Sequence, residues 1–159
     1  MSTTEISPLQ QAGIPDSPQM RVAIVRTVWN SDITVALTES ACREFGAHGV
    51  SSNQIDVYEV PGAVELTFAA ARLMDKYDAV IVFGCVIRGG TPHFDYVCRS
   101  VTDGITALNE RGTVPVIFGV LTVDRHEDAV ARAGGEAGDK GLEAAQTALL
   151  MHAFCNINS

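Results

Sequence analysis

The 159-residue chain is short of positive charge, with 11 Lys and Arg against 19 Asp and Glu and a formal net charge of −8. Neutralising nucleic-acid phosphates needs a basic patch, and none is visible, which argues against a nucleic-acid partner. Long hydrophobic runs are also missing. The longest, Ala79–Ile87, is about half of the ~20 residues that a membrane-spanning helix needs. The opening residues, MSTTEISPLQQAGIPDSPQ, lack a basic start and a hydrophobic stretch, so the chain reads as cytoplasmic with no secretory signal. Cysteine is sparse. Cys42, Cys85, Cys98 and Cys155 form no CxxC pair and match no histidine spacing, so neither a zinc site nor a redox motif is signalled. They are expected to be reduced and buried, acting as small hydrophobes.

What the chain does contain is an ordinary globular balance, 47% apolar and 19% charged. At this length one domain with a real core is expected, burying roughly 70% of the unfolded surface. Residues 1–19 have no period and read as an extended N-terminal arm, leaving 20–159 as a single domain. Strand-like and helix-like patterns then alternate. Arg21–Val28, Gln54–Val60, Asp78–Arg88 and Val114–Val123 are β-branched or continuously apolar runs. Between them, Ile33, Leu37, Ala41 and Phe45 fall at four-residue steps, with Ser31 as the expected N-cap and Gly46 or Gly49 as the stop. Ala63 to about Lys76, and Thr91 to about Glu110, read as further helices, the latter opening with a Thr-Pro cap. Two helices, about Glu127–Ala133 and Lys140–Ala153, close the chain around the loop AGGEAGDKG. Alternation without a hairpin signal predicts a flavodoxin-like three-layer α/β sandwich, a four-stranded parallel sheet with helices on both faces.

In an open α/β sheet the ligand lies beyond the carboxyl ends of the strands. Val28-Trp29-Asn30, Val60-Pro61-Gly62-Ala63, Arg88 to His93, and Gly119 to Thr122 are therefore expected to meet. Gly89-Gly90 before a helix start offers bare backbone N–H groups and a positive dipole end, which suits a phosphate. A tight turn that merely needs glycine explains the pair equally well. Neither a Walker loop nor the GxGxxG dinucleotide fingerprint is present. His93, in the first turn of that helix, is placed as a neutral imidazole able to take and return protons, although a lone histidine is more often incidental. Glu65 suits either its helix dipole or a ligand hydroxyl, and Trp29 either stacks on a flat heterocycle or packs over the sheet edge. Arg132 and Lys140 flank the last loop, where cations are usually solvated but can clamp a phosphate, including one in a neighbouring chain's site. His48, His126 and His152 read as structural or exposed.

Five stretches in order resemble the lumazine synthase family, the penultimate enzymes of riboflavin biosynthesis. They are PGAVE (Pro61–Glu65), GCVIRGGTPHFDY (Gly84–Tyr96), FGVLT (Phe118–Thr122), RAG (Arg132–Gly134) and KGLEAA (Lys140–Ala145). The resemblance spans essentially residues 20–156. It implies condensation of 5-amino-6-(D-ribitylamino)uracil with 3,4-dihydroxy-2-butanone 4-phosphate to 6,7-dimethyl-8-ribityllumazine, phosphate and water, without metal or organic cofactor. The alternative is a non-catalytic flavin-binding or storage shell using the same cleft. Carried over by motif, Trp29 stacks on the pyrimidine beside Asn30, and Ala63, Val64 and Glu65 hold the ribityl chain. Val86 and Ile87 line the ring pocket, while Gly90, Thr91 and Arg132 bind the phosphate. His93 moves protons, and Phe118, Arg132 and Lys140 come from an adjacent subunit. The resemblance implies a homo-oligomer, at least a pentamer, and names riboflavin and riboflavin synthase as further candidate partners. Only seven residues separate Arg132 from Lys140, the short form associated with closed 60-subunit shells. The arm is a candidate to pair with a neighbour's sheet edge. Trp29 stands where phenylalanine is commoner, Asp139 where asparagine is, and Gly135-Glu136-Ala137 is atypical.

Overall fold

The computed structural model describes residues 7–157. A single turn, α1 (Pro8–Gln11), precedes β1 (Val22–Thr27), α2 (Ser31–Ala47), β2 (Ile55–Val60), α3 (Leu66–Leu73), β3 (Ala79–Ile87), α4 (His93–Glu110) and β4 (Val116–Val123). The chain closes with α5 (His126–Arg132), the antiparallel pair β5 (Ala133–Gly135) and β6 (Gly138–Asp139), and α6 (Lys140–Ile157). β1 to β4 form one parallel sheet in the order β2-β1-β3-β4. This is the flavodoxin-like sandwich that the alternation predicts. Among the described residues no helix is long and apolar enough to cross a membrane.

The sheet is covered on both faces because its central strands, β1 and β3, are apolar on both faces. Ala79 to Cys85 of β3 are buried without interruption. Val22 and Ile24 of β1 join one core with α2, α5 and α6, through residues such as Leu37, Phe45, Ala129 and Leu149. Ala23 and Val25 join the other with α3 and α4, through Leu66, Ala70, Val101 and Ile105. The strand order makes the chain turn to one side after β1 and to the other after β3. The crevice between these two carboxyl ends is the topological switch point where ligands bind in such sheets.

Several boundaries differ from the sequence reading. Ser31 is not the cap of α2; Asn30 is, at φ 57°, with its side-chain amide donating to the Cys85 carbonyl at 2.9 Å. Asparagine is among the few residues that tolerate this left-handed geometry. Thr91 does not cap α4 directly: the helix starts at His93 behind Pro92, and the Thr91 hydroxyl accepts from the His93 N–H at 3.4 Å. The second helix opens as a tighter turn over Ala63–Glu65, and the last loop contains the β5–β6 hairpin. Of the cysteines only Cys85 is buried; Cys42 and Cys98 are half-buried and Cys155 is exposed. Residues 1–6 of the expected arm lie outside the described residues. The remainder contains α1 and is then laced to its own chain, where Ser17 N–H donates to the His48 carbonyl at 2.8 Å and the Gln54 amide to the Pro18 and Met20 carbonyls.

Candidate active site

A cavity of about 550 Å³ opens at the switch point, lined by Trp29, Asn30, Gly62 to Glu65, Cys85 to Ile87, His93 and Val97. Each wall comes from a strand end or a helix start. β1 pairs with β2 one residue past the strand, Val28 N–H donating to the Val60 carbonyl at 2.8 Å, and Trp29 N–H reaches the Pro61 carbonyl at 3.1 Å. The Thr27 hydroxyl donates to the Trp29 carbonyl at 2.7 Å. These bonds carry the indole out of the sheet, and the residue is 72% exposed. Trp29 is therefore not packed into the core.

The Glu65 carboxylate accepts the Gly62 N–H at 2.9 Å, which fixes it at the mouth of the cleft. His93 is the exposed first residue of α4, and its imidazole has no hydrogen-bond partner among the described residues. Cys85 forms part of the wall, but burial, and secondarily Asp32, pushes its thiol up to about 11. It stays a neutral thiol and offers no nucleophile. The cleft thus presents an aromatic face, a carboxylate, an imidazole and small apolar side chains. That set can stack a ring, hold hydroxyls and exchange a proton.

The loop from Arg88 to Pro92 joins two residues of this wall, Ile87 and His93. A Cβ added to Gly89 or Gly90 would meet nothing within 4 Å, and neither residue has positive φ. No crowding and no left-handed turn within the described chain calls for glycine here, so the bare-backbone reading gains over the tight-turn reading. Gly90 and Thr91 are both exposed.

Three expected site residues stand elsewhere. Phe118 lies mid-strand on the edge strand β4, opposite Val82, and is 43% exposed. With Lys140 it lines a different cavity, of about 430 Å³, between β4 and α6. The Lys140 ammonium is held by Glu143 at 2.8 Å, and the Arg132 guanidinium donates to the Asp128 carbonyl at 2.8 Å. Asp139 caps α6 by accepting from Gly141 and Leu142 N–H and also accepts the Ser40 hydroxyl, which fixes the hairpin on the α2 side of the sheet. Within one chain none of Phe118, Arg132 and Lys140 reaches the wall of the first cleft.

The family model for 6,7-dimethyl-8-ribityllumazine synthase matches residues 19–156. The chain belongs to that family. The enzyme of this name from Parabacteroides distasonis is 52% identical over 143 residues, covering 89% of each chain. Those from Porphyromonas gingivalis and Phocaeicola vulgatus are 49% and 47% identical, over 92% and 89% of this chain and 92% and 85% of their own.

For a member of the lumazine synthase family the geometry divides the expected residues cleanly. Trp29, Asn30, Ala63, Val64, Glu65, Val86, Ile87 and His93 share one cleft, and Gly90 and Thr91 adjoin it. Phe118, Arg132 and Lys140 do not. The expectation that Gly119 to Thr122 would meet the other segments is corrected: they lie on the edge strand β4, beyond β3 from the switch point, with Gly119 beside Phe83 and Thr122 level with Val86, and none of them lines the cleft. Two lining residues escaped the sequence reading, Cys85 and Val97. Cys85 is hidden in an apolar run, while Val97, one turn along α4 from His93, was open to a helical-face argument.

Proposed function

We propose that this chain condenses 5-amino-6-(D-ribitylamino)uracil with 3,4-dihydroxy-2-butanone 4-phosphate, releasing phosphate and water and forming 6,7-dimethyl-8-ribityllumazine. The observation that carries this reading is the switch-point cleft, where Trp29, Glu65 and His93 face one space beside a bare Gly-Gly loop. Trp29 stacks on the pyrimidine, next to Asn30, Val86 and Ile87. Glu65, with Ala63 and Val64, receives the ribityl hydroxyls. Gly90 and Thr91 receive the phosphate through backbone and hydroxyl groups at the start of α4.

Every step is an addition, an elimination or a proton transfer. The primary amine adds to the butanone carbonyl and the resulting carbinolamine loses water to give the imine. Phosphate leaves with its C–O bonding pair after a neighbouring carbon gives up a proton. The enol left behind takes up a proton at the carbon that carried the phosphate, which becomes a methyl group, and so turns into a ketone. The ribityl nitrogen closes the ring on that new carbonyl, again with loss of water. Positioning plus one mobile proton carrier, His93, suffices, and no step calls for a metal.

Phe118, Arg132 and Lys140 then act in a neighbour's cleft, so the working unit is a closed ring, which we take to be a pentamer. The short Arg132–Lys140 connection favours assembly of such rings into a 60-subunit shell, with riboflavin synthase as a candidate guest. Trp29, exposed and facing the cleft, supports riboflavin as a further ligand, since it shares the ribityl chain with the product. Four free cysteines fit a cytoplasmic protein. The reaction is tested by mixing chelator-treated protein with both substrates. Appearance of the lumazine chromophore above the uncatalysed background is expected, and its absence would sink the assignment.

A further inference from the structure

Arg88 occupies the point where β3 leaves the sheet and the Gly-Gly loop begins. Its N–H donates to the Val123 carbonyl at 2.9 Å, one residue beyond the end of β3. Its side chain then reaches in two directions. Nε donates to Asp124 Oδ1 at 2.8 Å, just past the end of β4. Nη1 lies 3.7 Å from Asp95 Oδ1, and Cζ stands 4.3 Å from the centroid of the Phe94 ring, both in the first turn of α4.

These contacts straddle the loop of residues 89–92, with Arg88 on one side and Phe94 and Asp95 on the other. Between them the loop has little to hold its shape, because Gly89 and Gly90 touch nothing through a side chain. Two adjacent glycines sample many backbone states, so the ends must be fixed if the N–H groups are to point the same way. The guanidinium is also a poor direct ligand for an anion, since two carboxylates already oppose it. Its planar fork and its stacking on an aromatic ring suit it to bridging, and a lysine ammonium would do neither job as well.

We infer that Arg88 is a positioning residue for the phosphate loop: by tying Asp124 to Phe94 and Asp95 it holds Gly89 to Thr91 in the shape that receives the phosphorylated substrate. The inference rests on the loop assignment made under the proposed reaction. It adds that Arg88 serves the phosphorylated substrate and not the ring cleft.

The test uses the assembled protein as wild type, Arg88→Ala, Arg88→Lys and Asp124→Ala, with both substrates and with inorganic phosphate as a competitor. Arg88→Ala is expected to raise both the KM for the butanone phosphate and the Ki of inorganic phosphate, each by about fivefold, as suits an exposed charge network. The KM for the pyrimidine and the kcat at saturation should stay within about twofold of wild type. Asp124→Ala should reproduce part of the shift, and Arg88→Lys should rescue it only in part. An unchanged phosphate Ki in Arg88→Ala, or equal losses for both substrates, would overturn the positioning role. A wild type that makes lumazine but ignores inorganic phosphate would overturn the loop assignment on which it rests, and a wild type that makes none would overturn the reaction itself.

Discussion

Trp29, Glu65 and His93 reach a common cleft using only their own chain, whereas Phe118, Arg132 and Lys140 stand outside it, the two cations already engaged at home. The first group sits where strands end and helices begin, and the parallel carboxyl ends of β1, β2 and β3 bring its side chains to one cleft. The second sits on an edge strand and beside a hairpin, on elements that pack with α2 and α6. Arg132 donates to Asp128, Lys140 is paired with Glu143, and an apolar ring at position 118 is left to solvent. A parallel sheet can aim residues inward at its carboxyl ends without help. The exposed Phe118 of the edge strand lines no part of that cleft, and a second molecule can use it. Under the proposed function the two regions are the two halves of one site, offered by different subunits.

The sharpest perturbation of the second half alone is Gly141→Ala. A Cβ there would meet the Leu37 backbone, with the carbonyl carbon and Cα at 2.9 Å and the oxygen closer still. Alanine gains ~1 kcal/mol in helix preference over glycine. Overpacking against immovable backbone costs about 1–3 kcal/mol or more and wins. A net loss of about 2 kcal/mol is expected in urea unfolding. The emission of Trp29, the single tryptophan and on the other region, should stay that of the folded wild type.

Next in size, Arg132→Ala should lower kcat/KM for the butanone phosphate by about tenfold to thirtyfold, the weight of a charge-assisted contact, and leave the pyrimidine KM nearly unchanged. His93→Ala, in the first half, should act on kcat instead. A loss of about tenfold is expected, below the 10²–10⁴-fold usual for general acid–base groups, because imine chemistry proceeds unaided. Steady-state kinetics with each substrate varied in turn separates the two patterns.

Smaller still is the effect of the indole. Stacking contributes ~0.5–1.5 kcal/mol beyond area burial, so Trp29→Ala should weaken riboflavin binding by about threefold to tenfold in a fluorescence titration. Equal affinity in the two proteins would assign the indole to structure. The mildest prediction concerns Cys85. Its thiol is raised from 9.0 to about 11 by burial and then by Asp32, so the folded chain keeps its proton longer than the unfolded one. The contribution is fully present below pH 9.0 and is lost as pH rises toward about 11. Urea midpoints measured across that range should fall, and Cys85→Ala should flatten the decline.

Much of this was legible in the sequence because strong periods leave little choice. Ala79 to Ile87 is apolar on both faces and had to be a central strand; the four-residue step from Ile33 to Phe45 had to be a buried helix face. Trp29, Asn30, Gly62, Ala63 and His93 followed from strand ends, whereas Val64, Val86 and Ile87 came only with the family resemblance. What failed was what period cannot carry. The β5–β6 pair is made of glycines and two short strands, too brief for alternation to show. Asn30 took the cap from Ser31 because of a hydrogen bond to Cys85, 55 residues away. Gly119 to Thr122 were drawn to the mouth because they lie near a strand's carboxyl end, but β4 is the edge strand on the far side of β3 from the switch point, an order the sequence does not show. Arg88 gave no signal either, since its partner Asp124 is 36 residues distant.

The claim that the two regions complete each other between subunits is tested most directly by mixing the two single-site variants, His93→Ala and Arg132→Ala, through dissociation and reassembly. If each site takes His93 from one chain and Arg132 from its neighbour, random mixing makes about a quarter of the sites wild type. Activity at limiting butanone phosphate should then rise to about that fraction of wild type, well above the mean of the separate variants. Activity that stays at that mean, in particles shown to contain both chains, would contradict the account.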